Sequence, residues 1–153
     1  MSAMNKLKVF FSLDIRTILL LAEALFFLGW ARILVYLPFS KVAPSLGIPM
    51  QETSITEVER NRIVLKHIAS AIDIMSRHTL WESKCLVRAI AGMKMLKRRD
   101  IESTLYLGTS KDKLTKMIAH AWLRSGHFYV TGKEGMDRFT VVAKFAKQIN
   151  ANR

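Results

Sequence analysis

From Thr17 to Trp30 the chain reads TILLLAEALFFLGW, apolar at nearly every position, and LVYLPF carries that character on past Pro38. The run predicts one long helix from about Asp14 to Leu37. Glu23 lies inside it, and Asp14, Arg16 and Arg32 flank it closely. A spanning helix wants about 20 mostly apolar residues. Charges so placed argue instead for a helix buried on most sides, or lying on a partner or a membrane surface. No small-residue cleavage site follows in the manner of a secretory signal.

Pro38, Pro44, Gly47 and Pro49 punctuate a loop, after which Ser54 and Glu57 have the spacing of a capping box. A second helix is expected to start there and stop near His78. Val58, Leu65, Ile68, Ile72 and Met75 recur at helical intervals, with Glu59, Arg60, Arg62 and Lys66 on the other side. A third helix is expected from Cys85 to about Arg99, with Leu86, Ile90, Met93 and Leu96 or Lys97 as its inner stripe. Gly92 in its middle costs about 1 kcal/mol relative to alanine, which suggests close approach of another element.

Beyond Asp100 the period changes to alternation. STLYLG, MIAHAWLR, HFYVT and FTVVAKF read as four short strands of an antiparallel sheet, with a hairpin turning at Ser125 and Gly126. In the second of these, Ile118, His120, Trp122 and Arg124 share one face, with Met117, Ala119, Ala121 and Leu123 on the other. The hairpin register puts Thr131 or Gly132 opposite His120. The expected fold class is α+β: two or three N-terminal helices, then a helix headed by Cys85 packed on a small antiparallel sheet. Residues 1–50 are expected to form an N-terminal apolar helical segment packing on the core or a partner, and residues 51–153 the core.

At 153 residues and half apolar, the chain is long enough to fill one core without staples. Its single cysteine rules out an internal disulfide, so the cytoplasm is the natural address. Twenty-four Lys and Arg against 12 Asp and Glu give a net charge of +12, which favours anionic partners. The basic residues are spread over every helix, without a helix-turn-helix glycine turn, zinc spacing or RNP-type strand, which argues against nucleic acid. His67, His78, His120 and His127 have no ligand spacing with Cys85, so no metal site is expected. No phosphate-cradling glycine loop calls for a cofactor.

Chemistry concentrates on Cys85 and His120. A thiol in the first turn of a helix meets unsatisfied backbone N–H groups and the positive end of the dipole, with Lys84 and Arg88 close by, and these favour the thiolate. Free cysteine is also commonly a small buried hydrophobe. What favours reactivity is the histidine in AHAWLR, since a thiol nucleophile needs an imidazole beside it.

The block CLVRAIAGMKMLKRRDIESTLYLG, followed by AHAWLRSGHFYVTG and FTVVAKF, resembles the transglutaminase-like cysteine proteases of lasso-peptide biosynthesis, which remove the leader from the ribosomal precursor. LLLAEALFFLGWARILVYLPFSKVAPSLG is similar to that family's opening segment. The resemblance implies a transglutaminase/papain-like core with Cys85 as nucleophile and His120 as general base and later acid. The family's third member, an Asp, would fall on Gly132, so Asp137 or Glu134 from the following loop, Thr131, or a backbone carbonyl would have to orient the ring. Asp137 is the named candidate. Oxyanion donors are expected from the Cys85 backbone N–H, with Trp81 or Ser83 as the second. The resemblance further implies a split system, in which a separate leader-recognition protein presents the precursor leader peptide, and it extends the partners to the lasso cyclase. The other reading is a basic, non-enzymatic binding or scaffold protein at a membrane surface or on nucleic acid.

Overall fold

The computed structural model describes residues 3–56, 59–80 and 83–149. Its elements in chain order are α1 (Ala3–Ser12), α2 (Ile15–Leu34), α3 (Phe39–Leu46), β1 (Ile48–Pro49), α4 (Arg62–Ser76), α5 (Cys85–Lys97), β2 (Ser103–Lys111), β3 (Met117–Ser125), β4 (Phe128–Thr131) and β5 (Thr140–Lys147). Two short 3-10 turns, Glu59–Asn61 and Met136–Arg138, precede α4 and β5. The class is α+β, with five antiparallel strands in the order β1-β5-β2-β3-β4.

The long apolar run folds as α2, capped by Asp14, whose carboxylate accepts from the Thr17 N–H at 2.9 Å. Four helices rather than two or three precede α5. The short pattern of α1 carries too few repeats to stand out from the sequence. The expected loop from Pro38 to Pro49 contains α3 and β1. Pro44 removes one helical hydrogen bond from α3, and burial of Val42 and Leu46 in the core outweighs that loss. At Gly47, φ is 128°, and a Cβ there would stand 2.3 Å from the Ala146 carbonyl oxygen. Only glycine lets the chain enter β1 this close to β5.

The second expected helix begins later than its capping signal. Ser54 Oγ accepts locally from the Thr56 N–H, and Glu57 lies outside the described residues. Residues 51–54 run along the sheet instead, where the Thr53 N–H donates to Thr104 Oγ1 at 2.9 Å and the two hydroxyls bond each other at 2.8 Å. Tertiary bonds to β2 thus win over the local helix start.

α5 is the axis of the molecule. The expected inner stripe is only part of what it buries: Val87, Ala89, Ala91 and Met95 are as enclosed as Ile90, Met93 and Leu96. It packs against α2 and α4 on one side and β2, β3 and β4 on the other. Each large apolar side chain so buried contributes about 1.5–3 kcal/mol. A Cβ on Gly92 would lie 2.8 Å from Leu123 Cδ2 and 3.2 Å from Ile72 Cδ1, so β3 and α4 both close on this glycine.

The C-terminus of α5 folds back at once. The Ile101 N–H bonds the Leu96 carbonyl at 3.1 Å and the Asp100 N–H that of Lys97 at 3.1 Å, with Asp100 left-handed at φ 54°. This is a Schellman closure, with buried Ile101 against buried Leu96. It turns β2 back along the helix. The charge inside the apolar run is also accounted for here. Both carboxylate oxygens of Glu23 take Arg99 bidentately, at 2.8 and 2.7 Å, and Arg98 lies 2.9 Å away. Burial pushes the Glu23 carboxyl up, but the two guanidinium groups outweigh it and hold it below its ordinary value.

Candidate active site

Cys85 is the first residue of α5, half-buried, with its side chain packed against the core. Lys84 precedes it in extended conformation (φ −72°, ψ 174°) with no side-chain cap. The first-turn N–H groups of Cys85, Leu86 and Val87 therefore have no partner within the helix. One turn on, Arg88 reaches Asp73 of α4 with Nη2 at 3.4 Å, while its buried Nε has no partner. Ser83 Oγ pairs with Thr79 Oγ1 at 2.9 Å. Trp81, the other expected oxyanion donor, lies outside the described residues.

His120 stands in β3 opposite Gly108 of β2. β2 runs back along α5, and its six residues from Ser103 to Gly108 cover about 17 Å. Alternation gives Ala121 and Leu123 to the core and His120 to the other face, beside Trp122. Cys85 and His120 share no hydrogen bond among the described residues. Among them, the ring and hydrogen-bond contacts of His120 are all with Trp122, Phe139 and Gly132, on the sheet face turned away from the core cluster that takes Cys85.

The imidazole is held on three sides. Its ring lies 5.7 Å from Trp122 and 5.0 Å from Phe139, centroid to centroid. Its Nε2 stands 2.7 Å from the Gly132 carbonyl oxygen. A carbonyl accepts only, so Nε2 carries the proton in this pair and Nδ1 is the basic nitrogen. Gly108 makes room for the arrangement. A Cβ there would meet Phe139 Cβ and the Trp122 ring at 2.9 Å.

The hairpin register differs from the expected one. β3 and β4 turn at Gly126 and His127, with Ser125 opposite Phe128, and a bulge between Leu123 and Arg124 brings Thr131 opposite Leu123. Neither Thr131 nor Gly132 faces His120 directly. Gly132 sits past the end of β4 with φ 75°, against Ala121 and Trp122, and this left-handed turn aims its carbonyl at the ring. Asp137 is exposed in the turn Met136–Arg138 and makes no hydrogen bond or ion pair among the described residues. Glu134 is exposed as well. The bond that orients the imidazole comes from position 132 itself, through its backbone.

Sequence reasoning missed Phe139, Gly108 and the Arg88–Asp73 contact. A glycine inside a strand pattern signals close approach, so Gly108 was open to discovery. Phe139 and Asp73 carry no local signal.

A polar ladder continues along the same face. Tyr106 stacks on Trp122 at 5.5 Å, its hydroxyl accepts from Arg124 Nε at 2.9 Å and donates to Glu52, and Lys144 reaches Glu52 at 3.2 Å. Burial first, and then the Glu52 carboxylate, push the Tyr106 phenol up to about 12.

The transglutaminase-like superfamily model matches residues 25–144, from within α2 to within β5. The chain belongs to the transglutaminase-like superfamily. No curated protein and no solved structure matches it. Members of this superfamily are typically cysteine peptidases or transferases. Cys85 at a helix start and His120 on an adjoining strand are the residue types such chemistry uses.

Proposed function

We propose that this chain is a cytoplasmic cysteine peptidase that removes the leader from a lasso-peptide precursor, with a separate leader-recognition protein delivering the substrate. The observation that carries the reading is the Nε2 bond of His120 to the Gly132 carbonyl, which leaves Nδ1 as the base. In the reaction His120 takes the thiol proton and Cys85 Sγ attacks the scissile carbonyl carbon. The resulting oxyanion is met by the Cys85 backbone N–H, with Ser83 or Trp81 as a second donor. The C–N bond breaks, the leaving amine takes the proton from His120, and the leader remains as a thioester on Sγ. Water, deprotonated by His120, then attacks the thioester and releases the leader acid. The lasso cyclase would receive the freed core peptide.

The resemblance of CLVRAIAG and AHAWLR to the lasso-peptide leader peptidases supports this choice within the superfamily. The experiment is mass spectrometry of a lasso-type precursor mixed with this protein and a leader-recognition protein. Cleavage that requires both proteins and is abolished by Cys85→Ala is the expected result. An intact precursor with the native protein, or cleavage that survives Cys85→Ala, would overturn it.

A further inference from the structure

The side of α2 that points away from the molecule is apolar along its whole length. Ile15, Leu19, Phe26, Trp30 and Ile33 are 67, 62, 65, 48 and 62% exposed. With Ala22 they recur every three or four residues, so at 100° per residue they form one line about 27 Å long. Leu21, Ala24, Leu28 and Ala31, which α2 buries in the core, fall on the opposite side. The helix has thus satisfied its core and still carries a second apolar face. Met4, Val9 and Phe11 of α1, and Tyr36 and Leu37 just past α2, are exposed apolar residues as well. An exposed apolar line of this length on one helix marks a contact site.

Charge decides what covers it. Lys6, Lys8, Arg16, Arg32 and Lys41 belong to this stretch, against Asp14 and Glu23 alone. Glu23 is already taken by Arg98 and Arg99. Arg16 and Arg32 stand roughly a quarter turn to either side of the apolar line. A second copy of the chain would bring +12 against +12, which opposes self-association. An anionic lipid surface attracts every one of these cations and accepts the apolar line between them. Trp30 and Tyr36 are the residue types that settle at the headgroup level. By length and composition α2 could cross a membrane. Crossing, however, would strip Leu21, Ala24, Leu28 and Ala31 from the core and expose Glu23 to hydrocarbon.

We propose that α1 and the outer face of α2 form a platform that lies on an anionic lipid surface, with the sheet held on the side away from the lipid. The test is co-sedimentation of the full chain with vesicles of phosphatidylcholine containing phosphatidylglycerol, and with vesicles of phosphatidylcholine alone. Binding should be roughly tenfold or more stronger on the anionic vesicles and should weaken as salt rises. The double variants Phe26→Ser/Ile33→Ser and Lys6→Glu/Lys8→Glu, each at exposed positions, should lose roughly tenfold of that affinity while melting at the native temperature. Three results would overturn the proposal. The chain could ignore anionic vesicles, the Phe26→Ser/Ile33→Ser variant could bind them undiminished, or that variant could instead dissolve a dimer or a complex with the leader-recognition protein while vesicles are ignored. Vesicle binding needs no peptide cleavage, so its outcome is separate from that of the peptidase reading.

Discussion

The Gly132 carbonyl oxygen lies 2.7 Å from His120 Nε2, although the two residues are not paired across the hairpin. The contact depends on the left-handed backbone at Gly132, where φ is 75° and a Cβ would fall 2.4 Å from the Ala121 carbonyl oxygen. Gly132→Ala should displace this turn and reduce kcat/KM by about tenfold or more, because the base loses its tautomer and aim. Asp137→Asn, in an exposed side chain that makes no bond among the described residues, should change kcat/KM by less than about twofold. Steady-state kinetics on the precursor compare the two. A larger loss at Asp137 than at Gly132 would assign the orienting role to the carboxylate.

The two histidines of the hairpin separate function from position. His120→Ala removes the ring held by Trp122, Phe139 and Gly132, and should cost about 100-fold or more in kcat/KM. His127 is exposed at the turn. His127→Ala should be nearly silent in the same assay. Equal losses at both would remove His120 from the base role.

Glu23 ties the N-terminal helix to the end of α5. Its side chain is 11% exposed, so Glu23→Gln leaves two arginines facing a neutral amide and should cost about 2 kcal/mol of stability in denaturant titration. The pH dependence has a definite sign. The folded carboxyl titrates below its ordinary value of 4.5, so the native pair contributes above that pH and its contribution is lost as pH falls through the lower, folded value. The glutamine variant should lack that acid-side loss, and its stability gap to the native protein should narrow with acidification.

Tyr106 is the hinge of the outer-face ladder. Tyr106→Phe deprives Arg124 Nε and Glu52 of their shared hydroxyl and should destabilise the fold by about 1–3 kcal/mol in thermal melts. The native phenol is pushed from 10.0 up to about 12. Its contribution is present below pH 10 and lost as pH rises toward 12, so the gap between native protein and Tyr106→Phe should close in that window.

How much of this was legible depends on how far apart the deciding partners lie. The α5 start, the four strands and the faces of β3 follow from periodicity, which is a local property. The start of α4 was misread because Thr53 and Thr104, 51 residues apart, hold the intervening signal residue Ser54 beside the sheet. α3 escaped because Pro38 and Pro44 read as breakers, whereas burial of Val42 and Leu46 decides the matter. Glu23 was legible as an anomaly in an apolar run, but its partners are 75 and 76 residues further on. The residues Cys85 and His120 are conspicuous by type. Gly132 could be read as a missing Asp, yet the bulge at Leu123 and Arg124 that brings its carbonyl to the ring leaves no mark in the residue pattern.

A ring aimed by a peptide carbonyl is aimed by a group with no codon of its own. The oxygen is supplied by the backbone at position 132, where the left-handed turn leaves no room for a Cβ, and it has no proton to lose at any working pH. Inheritance acts on the turn, not on a side chain. Homologues with glycine at this position would keep the oxygen, and a search for an acidic third residue would pass them by.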